Sequence, residues 1–208
     1  MDRRTWLYSI LLLLVLVLLL FALLRFRGIP LPFARTIPTP AVTPAISPAV
    51  SVSPEPNWGV QTKKTGCQAN GPLQDLACTP GDIFRNISKA EVCTPGYATS
   101  VRDVTQSVKN RAYSSYGITR RLPGQYEVDH LVPLQLGGSN AIANLWPEAG
   151  EPRPGYREKN RVENYLHDQV CSGALSLKDA QIEIATNWLA VYTRLPQNAV
   201  NESNDDQP

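Results

Sequence analysis

The chain has two histidines, His130 and His167, and both lie where carboxylates and amides are dense. Asp129 precedes His130 in the run YEVDHLVPLQL. In an extended segment successive side chains point to opposite faces, so one of the pair can hold a cation while the other meets water. His167 follows Glu163 by four residues in REKNRVENYLHDQV. On a helix turning about 100° per residue, Asn160, Glu163, Asn164 and His167 share a face, and an i, i+4 pair can bind a single ion. Asp129 can complete a carboxylate and imidazole site with positions left open for water and phosphate. The chemistry expected is that of one divalent cation. Hard carboxylates suit magnesium or manganese, and imidazole admits zinc or nickel. No small-molecule cofactor is expected. Lys159, four residues before Glu163, has a plainer reading as a solvated i, i+4 partner that would compete with metal binding.

Several elements must position these groups. Val101, Val104, Val108, Ala112 and Tyr116 recur at helical spacing after a capping-box-like Ser100 and Asp103, so one amphipathic helix is predicted over 100–116, stopped by Gly117. YEVDHLVPLQL and AIANLWP, separated by Gly137-Gly138, read as two short extended segments around a glycine turn. A helix follows Pro154-Gly155, with Val162, Tyr165, Leu166 and Val170 as its apolar stripe. A last helix starts at Ser176 with Asp179 completing its cap, and turns Leu177, Ala180, Ile184, Trp188 and Tyr192 inward. The order is helix, strand, strand, helix, helix, an α+β domain over 58–200. Trp146 and Trp188 sit among apolar neighbours and read as core.

Asp129-His130, then Leu136-Gly137-Gly138-Ser139-Asn140, then Asn144-Leu145-Trp146-Pro147 resemble the ordered signature of HNH endonucleases. The resemblance is best over 126–170. It extends through CSGALSLKDAQIEIATNWLAVY to exported bacterial proteins that carry the motif. It implies the ββα-metal fold, here with additional flanking helices, and a phosphodiester hydrolase. By the resemblance, His130 is the general base that takes a proton from the attacking water, Asp129 is a metal ligand, and Asn144 braces the loop that aims the base. The helix residue completing the metal site is left open: His167 is the first choice, with Glu163 and Asn164 behind it. The sequence departs from the common pattern in lacking zinc-type C-x-x-C pairs and in inserting PEAGEPRPGY before the helix. Arg153, Arg157, Lys159 and Arg161 cluster around the start of that helix, where they could contact backbone phosphates without reading bases. Nucleic acid is the expected partner, with DNA ranked ahead of RNA and little sequence specificity.

The net charge of +2 over 208 residues makes no global case for a polyanion partner, so that case rests on local charge. Trp6 to Leu24 is a run of 19 residues without a charge. It covers roughly 28 Å of hydrocarbon, as a membrane span requires. Arg25, Phe26 and Arg27 follow it in place of a small-residue cleavage site, so 1–27 is read as an uncleaved signal anchor and a cleaved signal peptide is the rival. Residues 28–57 carry eight prolines and form a stalk of up to roughly 90 Å if fully extended. Residues 201–208 read as a frayed tail. Cys67, Cys78, Cys93 and Cys171 all lie in the domain, an even number without metal-type spacing, which suits two disulfides in an oxidising compartment. The domain is therefore expected outside the cytoplasm. Oligomeric state and disulfide pairing are open. A metal-stabilised binding module on a stalk, without turnover, is the alternative to a nuclease.

Overall fold

The computed structural model describes residues 13–19 and 54–196. Residues 13–19 are helical; the rest of the expected membrane span, most of the stalk and the tail lie outside the described residues. Among the described residues no helix is long and apolar enough to cross a membrane. The chain divides into Met1–Val50 and Ser51–Pro208, and the second unit carries all of the elements below.

That unit combines helices with one two-stranded antiparallel sheet, an α+β arrangement. Its helices are α1 (Lys89–Val92), α2 (Tyr97–Val101), α3 (Gln106–Ser115), α4 (Tyr156–Ser172) and α5 (Leu177–Tyr192), and its strands are β1 (Tyr126–His130) and β2 (Leu145–Ala149). The register pairs Asp129 with Trp146 and His130 with Leu145. Pro147, which has no N–H to give a ladder, faces Val128; a two-stranded sheet has only edges, where proline is tolerated.

The single helix expected over 100–116 is two helices. Arg102 is extended (φ −68°, ψ 115°), and α3 starts afresh at Thr105, whose hydroxyl accepts from the Val108 N–H at 3.4 Å. A threonine is a better cap than a helix interior residue because its hydroxyl competes for backbone donors. The last helix begins as expected: Ser176 Oγ accepts from Asp179 N–H at 3.0 Å. It is interrupted at Asn187 (φ −164°, ψ 79°), whose side-chain oxygen accepts from Ala190 N–H at 3.0 Å and so caps the final turn.

The extended segments are shorter than the sequence patterns. Between the strands run two single 3₁₀ turns, Leu134–Leu136 and Ile142–Asn144. Both glycines of the turn have physical reasons. Gly137 closes the first 3₁₀ turn with φ +76°, a left-handed conformation that favours glycine. At Gly138 an added Cβ would lie 1.7 Å from Val132 O, so the backbones meet there with no room for a side chain. The core lies where Val162, Leu166 and Val170 of α4 meet Ala180, Ile184 and Trp188 of α5 beneath Leu131, Val132, Leu136 and Trp146. Trp146 and Trp188 are both core residues. The cysteines form two disulfides, Cys67–Cys78 and Cys93–Cys171.

Candidate active site

His130 ends β1 with only 4 % of its surface exposed. Asn140 Nδ2 donates to Val101 O at 2.7 Å, which turns the Asn140 carbonyl oxygen toward His130 Nε2 at 3.1 Å. Nε2 is thus the donor, and Nδ1 is left as the acceptor. Burial holds the imidazole below its ordinary 6.5; Asp129 and the Asn140 bond work against this, while Arg102 and Lys159 add to it. A neutral ring with a fixed tautomer is what a general base needs at pH 7. His130 lines a cleft of about 300 Å³ together with Arg102, Lys109, Tyr113 and Glu127. The break between α2 and α3 puts Arg102 in the extended link and leaves Lys109 on α3, and both line the cleft with the histidine. Burial, then Asp129, raises Glu127, with Lys159, Arg102 and Lys109 opposing.

Tyr126 borders this cleft and a second one, lined by Thr119, Arg120, Arg121 and Leu122. The Arg121 guanidinium lies 3.7 Å from the Tyr113 ring centre, which joins the two clefts through a cation and an aromatic face.

Asn144 is fully buried and all of its amide capacity is used. Its Nδ2 donates to Val132 O at 2.9 Å and Ser139 O at 2.8 Å, and its Oδ1 accepts from Val132 N–H at 2.9 Å and Asp82 N–H at 3.3 Å. The loop from 131 to 139, which leaves the base and contains the double glycine, is thereby tied to the start of β2.

Asp129 faces a cation, as the strand geometry suggested, but that cation is Lys159. The Lys159 ammonium, with no exposed surface, donates to Asp129 Oδ2 at 2.7 Å, to His130 O at 2.8 Å and to Glu163 Oε1. Lys159 is therefore not available as a surface phosphate contact. Burial is the largest single influence on Asp129 and opposes its ionisation, but the charge and hydrogen bond of Lys159, together with Glu148 and His130, outweigh it and hold the carboxyl below its usual value. Burial pushes Glu163 up to about 7. Glu148, paired across the sheet with Glu127, is buried without a well-formed hydrogen bond, and burial raises it well above the carboxylate range.

The other expected ligands lie apart from Asp129. Asn164 accepts from Gln135 Nε2 at 3.1 Å. His167 Nε2 is 3.1 Å from Val92 O and 3.5 Å from Cys171 Sγ. Among the described residues the one group of three or more His, Cys, Asp or Glu close enough to hold a metal ion is Cys93, His167 and Cys171, with ligand atoms within 4.8 Å of one another. Its two sulfurs are bonded to each other as a disulfide, and thiolates are what bind metals. The oxygen set around Asp129 does not fit a divalent ion either, because its acceptors already face an ammonium. Of the arginines near α4, Arg153 is exposed and paired with Glu151 and Glu158, Arg157 stacks on Tyr156 at 4.6 Å, and Arg161 is half-buried.

Sequence reasoning missed Asn140 as the orienting partner, Arg102 and Lys109 as the flanking cations, and Lys159 as a buried one. Lys159 had a signal: it lies three and seven residues before Val162 and Leu166, on the apolar side of the helix. Arg102 and Lys109 had none, since only the unexpected break between α2 and α3 brings them to the cleft. No protein-family model, curated protein or solved structure matches this chain.

Proposed function

We propose that the chain is a nuclease that hydrolyses phosphodiester bonds of nucleic acid outside the cytoplasm, tethered to the membrane by the apolar run Trp6 to Leu24. The observation that carries this reading is a buried histidine whose Nε2 meets Asn140 Oδ1, in a cleft also lined by Arg102 and Lys109. The succession of β1, β2 and α4 supports the resemblance to the ββα-metal nucleases, and the Asn144 bonds suit the bracing role that it implies.

In the reading, Arg102 and Lys109 hold a backbone phosphate, and the neighbouring Arg120 and Arg121 take the next ones along a strand. His130 Nδ1 accepts a proton from water, the water oxygen attacks phosphorus, and the bond to the 3′ oxygen breaks as that oxygen takes a proton from solvent. The two flanking cations stabilise the charge that builds on the phosphoryl oxygens. Contacts of this kind read the backbone and not the bases, so low sequence specificity is expected.

The test is degradation of plasmid DNA and of structured RNA by the wild type and by His130→Ala, each in chelator and in added magnesium or manganese. General bases contribute roughly 10² to 10⁴-fold, and a loss of that size is expected in the variant. Equal activity in both proteins removes His130 from the chemistry. The second reading, a binding module without turnover, is favoured by one observation: Lys159 satisfies the carboxylates where a catalytic cation would be expected. Absence of cleavage under every condition, with retained binding to nucleic acid, selects it.

A further inference from the structure

We infer that Lys159 is a resident cation: its ammonium takes the place between Asp129 and Glu163 that a divalent ion would otherwise occupy, so the wild-type protein holds no divalent ion there. An ammonium has three donors and no acceptor. All three are used, and every partner is an oxygen: a carboxylate on β1, the backbone carbonyl of His130, and a carboxylate one turn along α4. Oxygen donors of this kind are the set that hard divalent cations take from proteins. The separations of 2.7 Å to Asp129 and 2.8 Å to His130 O are those of charge-assisted hydrogen bonds.

Two further features limit what else could fill that place. Lys159 has no exposed surface, and its neighbours Val162 and Leu166 are core residues, so the side chain cannot swing aside without opening the interior. Glu148 completes the ring of carboxyls from β2, buried and without a well-formed hydrogen bond. A chain lacking the ammonium would leave the Asp129 and Glu163 carboxylates and the His130 carbonyl without their shared cation, oxygen donors of the kind a hard divalent ion takes.

The inference concerns occupancy by a cation and not turnover, so a protein inactive on nucleic acid tests it as well as an active one. The full chain in detergent is titrated with manganese, and bound ion is read by electron paramagnetic resonance, in the wild type, Asp129→Asn and Lys159→Ala. The wild type is expected to bind no ion that Asp129→Asn abolishes, and to melt at the same temperature in chelator and in manganese. Lys159→Ala is expected to gain one manganese per chain and a higher melting temperature with the ion, both lost when Asp129→Asn is added. Asp129→Asn also separates this position from Cys93, His167 and Cys171. Manganese bound by the wild type and lost in Asp129→Asn overturns the inference, as does a folded Lys159→Ala that binds none. Should Lys159→Ala fail to fold, the wild-type and Asp129→Asn titrations settle the question alone.

Discussion

At the scale of single residues, His130 sets how activity and stability respond to pH. Its folded value lies below 6.5 because burial and nearby positive charge disfavour the imidazolium. As a base it remains competent while pH falls through 6.5, so the acid limb of the rate profile is expected below that value. Asn140→Asp places a negative charge at the Nε2 side, favours the protonated ring, and moves the limb to higher pH; a pH–rate profile of the two proteins reads the shift, and coincident limbs remove Asn140 from the site. Stability follows with a definite sign. Below 6.5 the unfolded chain takes up a proton at this position that the native state resists, so stability falls as pH drops from 6.5 toward the folded value. Glu163 acts oppositely: raised from 4.5 to about 7, its contribution is complete below 4.5 and is lost as pH rises to about 7. The two overlap, so the His130 part is read as the difference between wild type and His130→Gln in urea unfolding at successive pH values. His130 and Asp129 could be singled out from sequence by type and adjacency alone. The i, i+4 spacing of Lys159 and Glu163 does not tell a solvated pair from a buried one; the signal for burial was the place of Lys159 on the side of the helix that carries Val162 and Leu166.

At the scale of elements, the β1–β2 connection explains why the Gly-Gly and Asn positions form one unit with the base. Asn144 needs both a donor and an acceptor end, since its Nδ2 faces two carbonyls and its Oδ1 faces two N–H groups. Asn144→Asp keeps the shape and turns the donor end into an acceptor against Val132 O and Ser139 O. Leaving such buried groups unpaired costs on the order of 1–3 kcal/mol each, so a loss of roughly 3 kcal/mol or more is expected in urea unfolding; a loss below about 1 kcal/mol would show that the loop is held by other contacts. Helix α4 is legible from its apolar period after Pro154-Gly155, and the start of α5 from a cap and an apolar period that agree. Over 100–116 the sequence carries the period of one helix where the structure has two, because Val101, Val104 and Val108 continue a helical period across a backbone that Thr105 restarts. Periodicity registers which side chains are apolar; it does not register a break that falls between two apolar positions, and here that break delivers Arg102 to the cleft.

At the scale of the whole domain, the two disulfides differ in what they restrain. Cys67–Cys78 spans 11 residues, and Cys93–Cys171 spans 78 and joins the segment after α1 to the end of α4. Cross-links act largely by removing conformations from the unfolded chain, by roughly 3 kcal/mol for the short loop and 4–5 kcal/mol for the long one. A domain of this size buries enough core to fold without staples, so Cys93→Ser with Cys171→Ser is expected to fold and to lose more stability than Cys67→Ser with Cys78→Ser. Comparison of the two pairs by urea unfolding reads the order, and the reverse order would mean that native contacts of the short loop outweigh chain entropy. Because His167 lies against the long bridge, reduction has a second consequence: it frees two thiols beside an imidazole, within 4.8 Å of one another. Zinc is therefore expected to raise the melting temperature of the reduced protein and to leave that of the oxidised protein unchanged. Thermal melts of the two forms with and without zinc, set beside Cys93→Ser, check this, and a zinc response of the oxidised form equal to that of the reduced one would place the ion elsewhere.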